Sequence, residues 1–138
     1  MPHRLPDALL ALTDVLTPNE SELRLLADLP AEAPVAQAAQ VLLARGARAV
    51  LVTLGAAGCV LYRPQQAPVS LPGRRMAVVD TIGAGDTFTG ALAAALARGE
   101  ALPQAMACAN AAAALSVTGQ GAIGGMPTLA QVRALVQA

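Results

Sequence analysis

Val78-Val79-Asp80-Thr81-Ile82-Gly83-Ala84-Gly85-Asp86-Thr87-Phe88-Thr89-Gly90 is the stretch on which the reading of this chain turns. Apolar residues of strand character, Met76–Val79, run into small residues that leave main-chain amides bare at the mouth of a helix. That helix is predicted over Asp86–Arg98 and is ended by Gly99. Unpaired N–H groups at the positive end of a helix make a ready anion site. The glycine spacing is G-x-G-x-x-x-x-G, with Phe88 where a dinucleotide fingerprint needs its third glycine. That fingerprint therefore fails.

Asp86 discriminates between the remaining chemistries. A pure phosphate cradle gains nothing from a carboxylate at its centre, because like charges repel. A phosphoryl-transfer site wants one there, to take a proton from the attacking hydroxyl while amides hold the transferring group. An Asp at this point can equally cap the helix, and spacing alone leaves both readings open. Composition removes other classes. Nine basic residues, all Arg, balance nine acids, so no Lys exists for a Walker A loop or a Schiff base. The single histidine, His3, rules against a Ser-His-Asp triad or a His-based zinc site. Zero net charge with no basic block argues against nucleic acid. Arg74-Arg75, the densest positive spot, reads as a solvated loop.

The 138 residues fit one domain, expected to span 1–138, with 55% apolar residues, 33 alanines and enough length to bury a core. Cys59 and Cys108 read as two buried thiols of a reducing compartment, so a cytoplasmic location is expected. Residues 101–132 carry no charge, yet Gln104, Asn110, Thr118 and Gln120 and four glycines interrupt them, so no membrane segment is expected.

Working outward, short helices are predicted at Leu5–Leu12 and from Thr17-Pro18-Asn19-Glu20-Ser21-Glu22 to Ala27, with a brief strand around Asp14–Leu16 between them. A firmer helix covers Val35–Arg45 and stops at Gly46. Ala49–Leu54 is a continuous apolar run suited to a buried parallel strand. The Gly55–Gly58 turn and Cys59–Tyr62 complete a hairpin, with one edge strand expected between Pro64 and Gly73. Pro103–Thr118 is a helix with proline in its first turn, and Thr128–Val136 a last one with Thr128 and Gln131 as a capping box. The alternation gives an open α/β layer structure.

Asn19 and Glu22 are spaced as a capping box, and a metal-phosphate role is the alternative. The turn Thr53-Leu54-Gly55-Ala56-Ala57-Gly58 follows the carboxyl end of a buried strand, where ligands of open α/β sheets sit; a tight hairpin turn is the plainer reading. Asn110, on an otherwise apolar helix, either meets a ligand edge or faces water.

Together these pieces resemble the carboxyl-terminal part of a ribokinase-like carbohydrate kinase, a family that includes fructokinases and adenosine kinase. The likeness rests on Leu5-Pro6-Asp7, Thr17-Pro18-Asn19-Glu20, Val52-Thr53-Leu54-Gly55, the D-T-x-G-A-G-D-T-F string from Asp80 to Phe88, and Ala111-Ala112-Ala113-Ala114. Of these only the D-T-x-G-A-G-D-T-F string is specific by itself. The resemblance implies a three-layer α/β/α sandwich of which this chain supplies the carboxyl-terminal part, and ATP-dependent phosphorylation of a sugar, ribose first. It implies Asp86 as general base and the amides of Gly83, Ala84 and Gly85 as the γ-phosphate hole. It places Asn19 and Glu22 near Mg²⁺ and the ATP phosphates, and Thr53, Leu54, Gly55, Ala56, Ala57, Gly58 and Asn110 around the nucleotide. A monovalent cation, K⁺, would lie between Asp80 and Ile82 on one side and Ser116, Gly119, Gly121 and Gly125 on the other.

Family members usually run to about three hundred residues, and the resemblance implies that the sugar-binding half and its lid are not in this stretch. The expectation is a nucleotide site without most of its sugar site, weak or no transfer by the chain alone, and self-association through an exposed sheet edge. A nucleotide-binding fragment or partner module with no catalysis of its own is the alternative.

Overall fold

The computed structural model describes residues 5–74, 76, 78–81, 83–119 and 126–137. Their order is α1 (Asp7–Leu12), α2 (Glu20–Leu26), α3 (Val35–Ala44), β1 (Val50–Thr53), a 3₁₀ turn (Gly55–Ala57), β2 (Gly58–Tyr62) and β3 (Val69–Pro72). Three helices follow, α4 (Ala84–Ala97), α5 (Leu102–Ser116) and α6 (Leu129–Gln137). The chain is mixed α/β and groups into two compact units. One comprises Met1–Gly55 with Cys59–Ser70; the other comprises Ala56–Gly58 with Leu71–Ala138.

In the first unit β1 is antiparallel to β2, with Val50 opposite Tyr62 and Thr53 opposite Cys59. The sheet has three strands in the order β1-β2-β3. Val50, Val52, Val60 and Tyr62 meet Leu10, Leu23, Ala38, Ala39 and Leu42 from the three helices in one apolar cluster. Leu51, Cys59 and Leu61 alternate with them and are just as buried, which explains a continuous apolar run where a half-exposed strand would alternate. Burial also pushes the Cys59 thiol up to about 11, so it stays protonated and inert at neutral pH.

Arg45 ties the helices together at their ends. Its guanidinium donates to Asp7 Oδ1 at 2.8 Å, to the Leu26 carbonyl at 3.0 Å and to the Leu5 carbonyl. The brief strand expected around Asp14–Leu16 shrinks to one parallel bridge, Leu16 to Val50. Pro18 lacks an N–H for a ladder, and Asn19 turns the backbone into α2.

In the second unit α4 and α5 pack together along Phe88, Leu92 and Ala95 on one side and Ala105, Met106, Ala109 and Ala112 on the other. Alanine at these positions lets the helices approach closely. Pro103 opens α5, and Thr128 and Gln131 form the expected capping box: Gln131 N–H donates to Thr128 Oγ1 at 3.2 Å and Thr128 N–H to Gln131 Oε1 at 2.8 Å. The strand expected over Met76–Val79 is not formed among the described residues there. Val78 and Val79 are 64% and 63% exposed, and the Val79 amide goes to the Val117 carbonyl at 2.7 Å. β-branched residues supply a strand's surface, but a strand also needs a ladder partner, and this segment spends its bond on the end of α5.

Candidate active site

The helix mouth forms two residues earlier than the spacing suggests. Gly83 is the N-cap of α4 with φ +83°, a left-handed conformation that glycine takes at little cost. The first intrahelical bond runs from Thr87 N–H to the Gly83 carbonyl at 2.9 Å. The amides of Gly85 and Asp86 therefore precede the ladder and have no acceptor within the helix. Ala84 is different: its N–H reaches back to the Thr81 carbonyl at 3.3 Å, a long bond. A Cβ added at Gly85 would meet nothing within 4 Å, so the side-chain face of the first turn is open there.

Asp86 does not cap the helix. It sits in the first turn, third after the Gly83 cap, and no side-chain capping bond is made there. Its carboxylate is exposed and has no hydrogen bond or ion pair with any described residue. The capping explanation for this acid is thereby removed. What remains is a carboxylate beside amides that the helix leaves unused.

Asn19 and Glu22 do form the capping box of α2. Glu22 N–H donates to Asn19 Oδ1 at 2.8 Å, and Asn19 N–H to Glu22 Oε1 at a looser 3.4 Å. The same turn meets the end of β1: Thr53 N–H donates to the Pro18 carbonyl at 3.0 Å, and Asn19 lies in a parallel bridge to Thr53. Two sequence segments singled out separately, residues 17–22 and 53–58, are thus adjacent within the first unit as far as Thr53. Among the described residues no three His, Cys, Asp or Glu side chains gather into a metal cluster.

Ala56–Gly58, the end of the 53–58 turn, belong to the second unit. Gly58, at φ +103°, lies so close to Leu71–Gly73 that a Cβ would be 2.0 Å from the Leu71 carbonyl oxygen. Gly73 is pressed equally hard on the neighbouring turn, where a Cβ would be 1.8 Å from the Ala56 carbonyl oxygen. Asn110 joins the same place from α5, its Nδ2 donating to the Pro72 carbonyl at 3.0 Å. Beside that bond is a cavity of about 420 Å³ lined by Leu71, Pro72, Arg74, Ala107, Asn110 and Val136. The sequence reading missed this wall; glycines at 58 and 73, each demanding close backbone approach, were the signal that could have found it.

Asp80 and the end of α5 are also brought together. The amides of Val79 and Asp80 both donate to the Val117 carbonyl, at 2.7 and 3.1 Å. Ser116 is buried, its Oγ donating to the Ala113 carbonyl at 2.7 Å, and Gly119 N–H reaches the Ser116 carbonyl at 3.4 Å. Ile82, Gly121 and Gly125 lie outside the described residues. No helix among the described residues is long and apolar enough to cross a membrane.

Comparison with known proteins gives this geometry a family. A ribokinase of Arabidopsis thaliana is 38% identical over 138 residues, covering 96% of this chain and 36% of its own length. The bifunctional protein HldE of Stutzerimonas stutzeri is 44% identical over 105 residues, covering 75% of this chain and 22% of its own. The solved structure of Arabidopsis thaliana ribokinase complexed with ribose and ATP matches with a TM-score of 0.90 at 38% identity, over 100% of this chain and 45% of that one. The chain spans less than half the length of these relatives. The family model for the pfkB family carbohydrate kinases matches residues 2–129, and the chain belongs to that family.

Proposed function

We propose that this chain is the nucleotide-binding and phosphoryl-transferring part of an ATP-dependent sugar kinase, with ribose as the acceptor. The observation that carries the reading is the exposed Asp86 carboxylate, unpartnered among the described residues, beside the Gly85 and Asp86 amides that the α4 ladder leaves unused at the Gly83 cap. Asp86 takes the proton from the sugar hydroxyl as that oxygen attacks the γ-phosphorus. The amides of Gly83, Ala84 and Gly85, with the α4 dipole behind them, stabilise the charge on the transferring oxygens. Ala84 exchanges its long bond to Thr81 for one to phosphate. The cavity beside Asn110 takes the base, with Ala56, Ala57 and Gly58 of the same unit lining the path of the nucleotide.

Mg²⁺, when bound with ATP, neutralises phosphate charge. Within the first unit, the exposed Glu22, loosely held at 3.4 Å, and Asn19 are the donors whose chemistry suits such an ion. Asp80 on one side and Ser116 and Gly119 on the other, drawn together around Val117, would hold a monovalent cation such as K⁺. Ribose is supported by the ribokinase likeness; the acceptor-orienting groups of a whole kinase would lie in the part of the relatives' length that this chain does not match. Orientation can supply roughly 7–11 kcal/mol of barrier lowering, so the chain by itself is expected to bind ATP but to phosphorylate ribose poorly.

Calorimetric titration of the purified chain with ATP-Mg²⁺ and with AMP tests this. The expected result is saturable binding of ATP at least about tenfold tighter than AMP, because only the triphosphate brings a γ-phosphate to charge-assisted bonds with the helix-mouth amides. Equal affinities, or no heat and no thermal shift with ATP, would remove the reading. Rapid ATP-dependent phosphorylation of ribose by the isolated chain would show that the acceptor site is complete.

A further inference from the structure

The cavity beside Asn110 has a lopsided lining. Leu71, Pro72, Ala107 and Val136 are apolar, and Asn110 is one amide already bonded through Nδ2 to the Pro72 carbonyl. Arg74 supplies the single charge. Its guanidinium makes no hydrogen bond or ion pair with any described residue, so none of them neutralises or holds it. Sequence alone assigns Arg74 no task beyond solvation. Placed at the rim of an apolar slot, a planar cation has a natural counterpart in a flat aromatic ring, over which guanidinium both stacks and gains cation–π attraction. A volume of about 420 Å³ is in the range of small-molecule sites. An apolar slot also satisfies the faces of a heterocycle while leaving its edge to Asn110.

We infer that Arg74 is a nucleotide-binding residue, its guanidinium covering the face of the base that enters the cavity beside Asn110. This rests on the proposed nucleotide site and adds to it a residue and a mode of contact. Stacking should make the base itself, and not only the phosphates, a source of affinity. It also predicts that Arg outperforms Lys here, because an ammonium keeps the charge but not the plane.

The test uses the whole chain with three probes: ATP, adenosine and inorganic tripolyphosphate, the last two at millimolar concentration by ligand-observed NMR. Arg74 is exposed, so Arg74→Ala should fold as the parent does, checked by its melt. The expected result is a loss of about 3- to 30-fold for ATP and adenosine alike, with tripolyphosphate unchanged and Arg74→Lys intermediate. Parent-like binding of ATP and adenosine by Arg74→Ala would overturn the inference while leaving the nucleotide site standing. A loss confined to ATP and tripolyphosphate would overturn it too, making Arg74 a phosphate contact, as would a parent that binds ATP but not adenosine. A parent that binds none of the three would fail the underlying site as well.

Discussion

Asp86→Asn is expected to slow phosphoryl transfer by about 10²- to 10⁴-fold while leaving ATP affinity unchanged or tighter. The sign of the binding effect is the informative part. In the parent an exposed carboxylate stands beside the amides proposed to receive the γ-phosphate, and two like charges about 4 Å apart cost about 1 kcal/mol even in water. Asn removes that repulsion, which corresponds to roughly fivefold tighter binding, and it cannot accept the hydroxyl proton. A helix-stabilising acid would behave otherwise. Its loss would cost about 0.3–1 kcal/mol of helix stability through the dipole and would move transfer little. The measurement is turnover and ATP binding in a full-length kinase that carries this chain as its nucleotide part. Unchanged turnover would reject Asp86 as the base.

Gly58→Ala should cause a large loss of stability. The new Cβ would be 2.0 Å from the Leu71 carbonyl oxygen and 2.6 Å from Gly73 N, on a backbone at φ +103°. Both obstacles are main chain, so no side chain can swing aside. Overpacking of this kind costs about 1–3 kcal/mol, and a residue held in a sparsely populated backbone region adds about 1–3 kcal/mol. For a chain of this size the sum corresponds to a fall in Tm on the order of 10 °C. Gly55→Ala is the control, because Gly55 also has positive φ, at +59°, but nothing within 4 Å of a new Cβ. It should lose only about 1–2 kcal/mol. Comparable melts for the two variants would contradict the close approach of residues 56–58 to 71–73.

Where local chemistry was self-sufficient, it was legible in the sequence. The capping boxes of α2 and α6 need only residues three apart, and both formed as the spacing predicts. The hairpin of β1 and β2 follows from two apolar runs flanking a glycine turn, and the short turn sets the register that pairs Thr53 with Cys59. Segments whose structure depends on a distant partner were read less well. Met76–Val79 has strand composition, yet its described residues form no ladder. Asp86 could not be resolved from spacing, because an N-cap and the third residue of a first turn differ by a shift that only Gly83's left-handed backbone decides. The cavity wall at Leu71, Pro72 and Arg74 was invisible for the same reason: its residues meet Asn110 across 38 positions of chain. Three proposed cation-site positions, Ile82, Gly121 and Gly125, lie outside the described residues.

Backbone amide NMR of the chain during an ATP-Mg²⁺ titration bears most directly on the claim that the α4 mouth receives the γ-phosphate. The amides of Gly83, Ala84, Gly85 and Asp86 should shift and saturate with ATP, and shift far less with AMP, which lacks the γ-phosphate. Saturable binding that leaves those four amides unmoved, or that moves them equally with AMP, would contradict it.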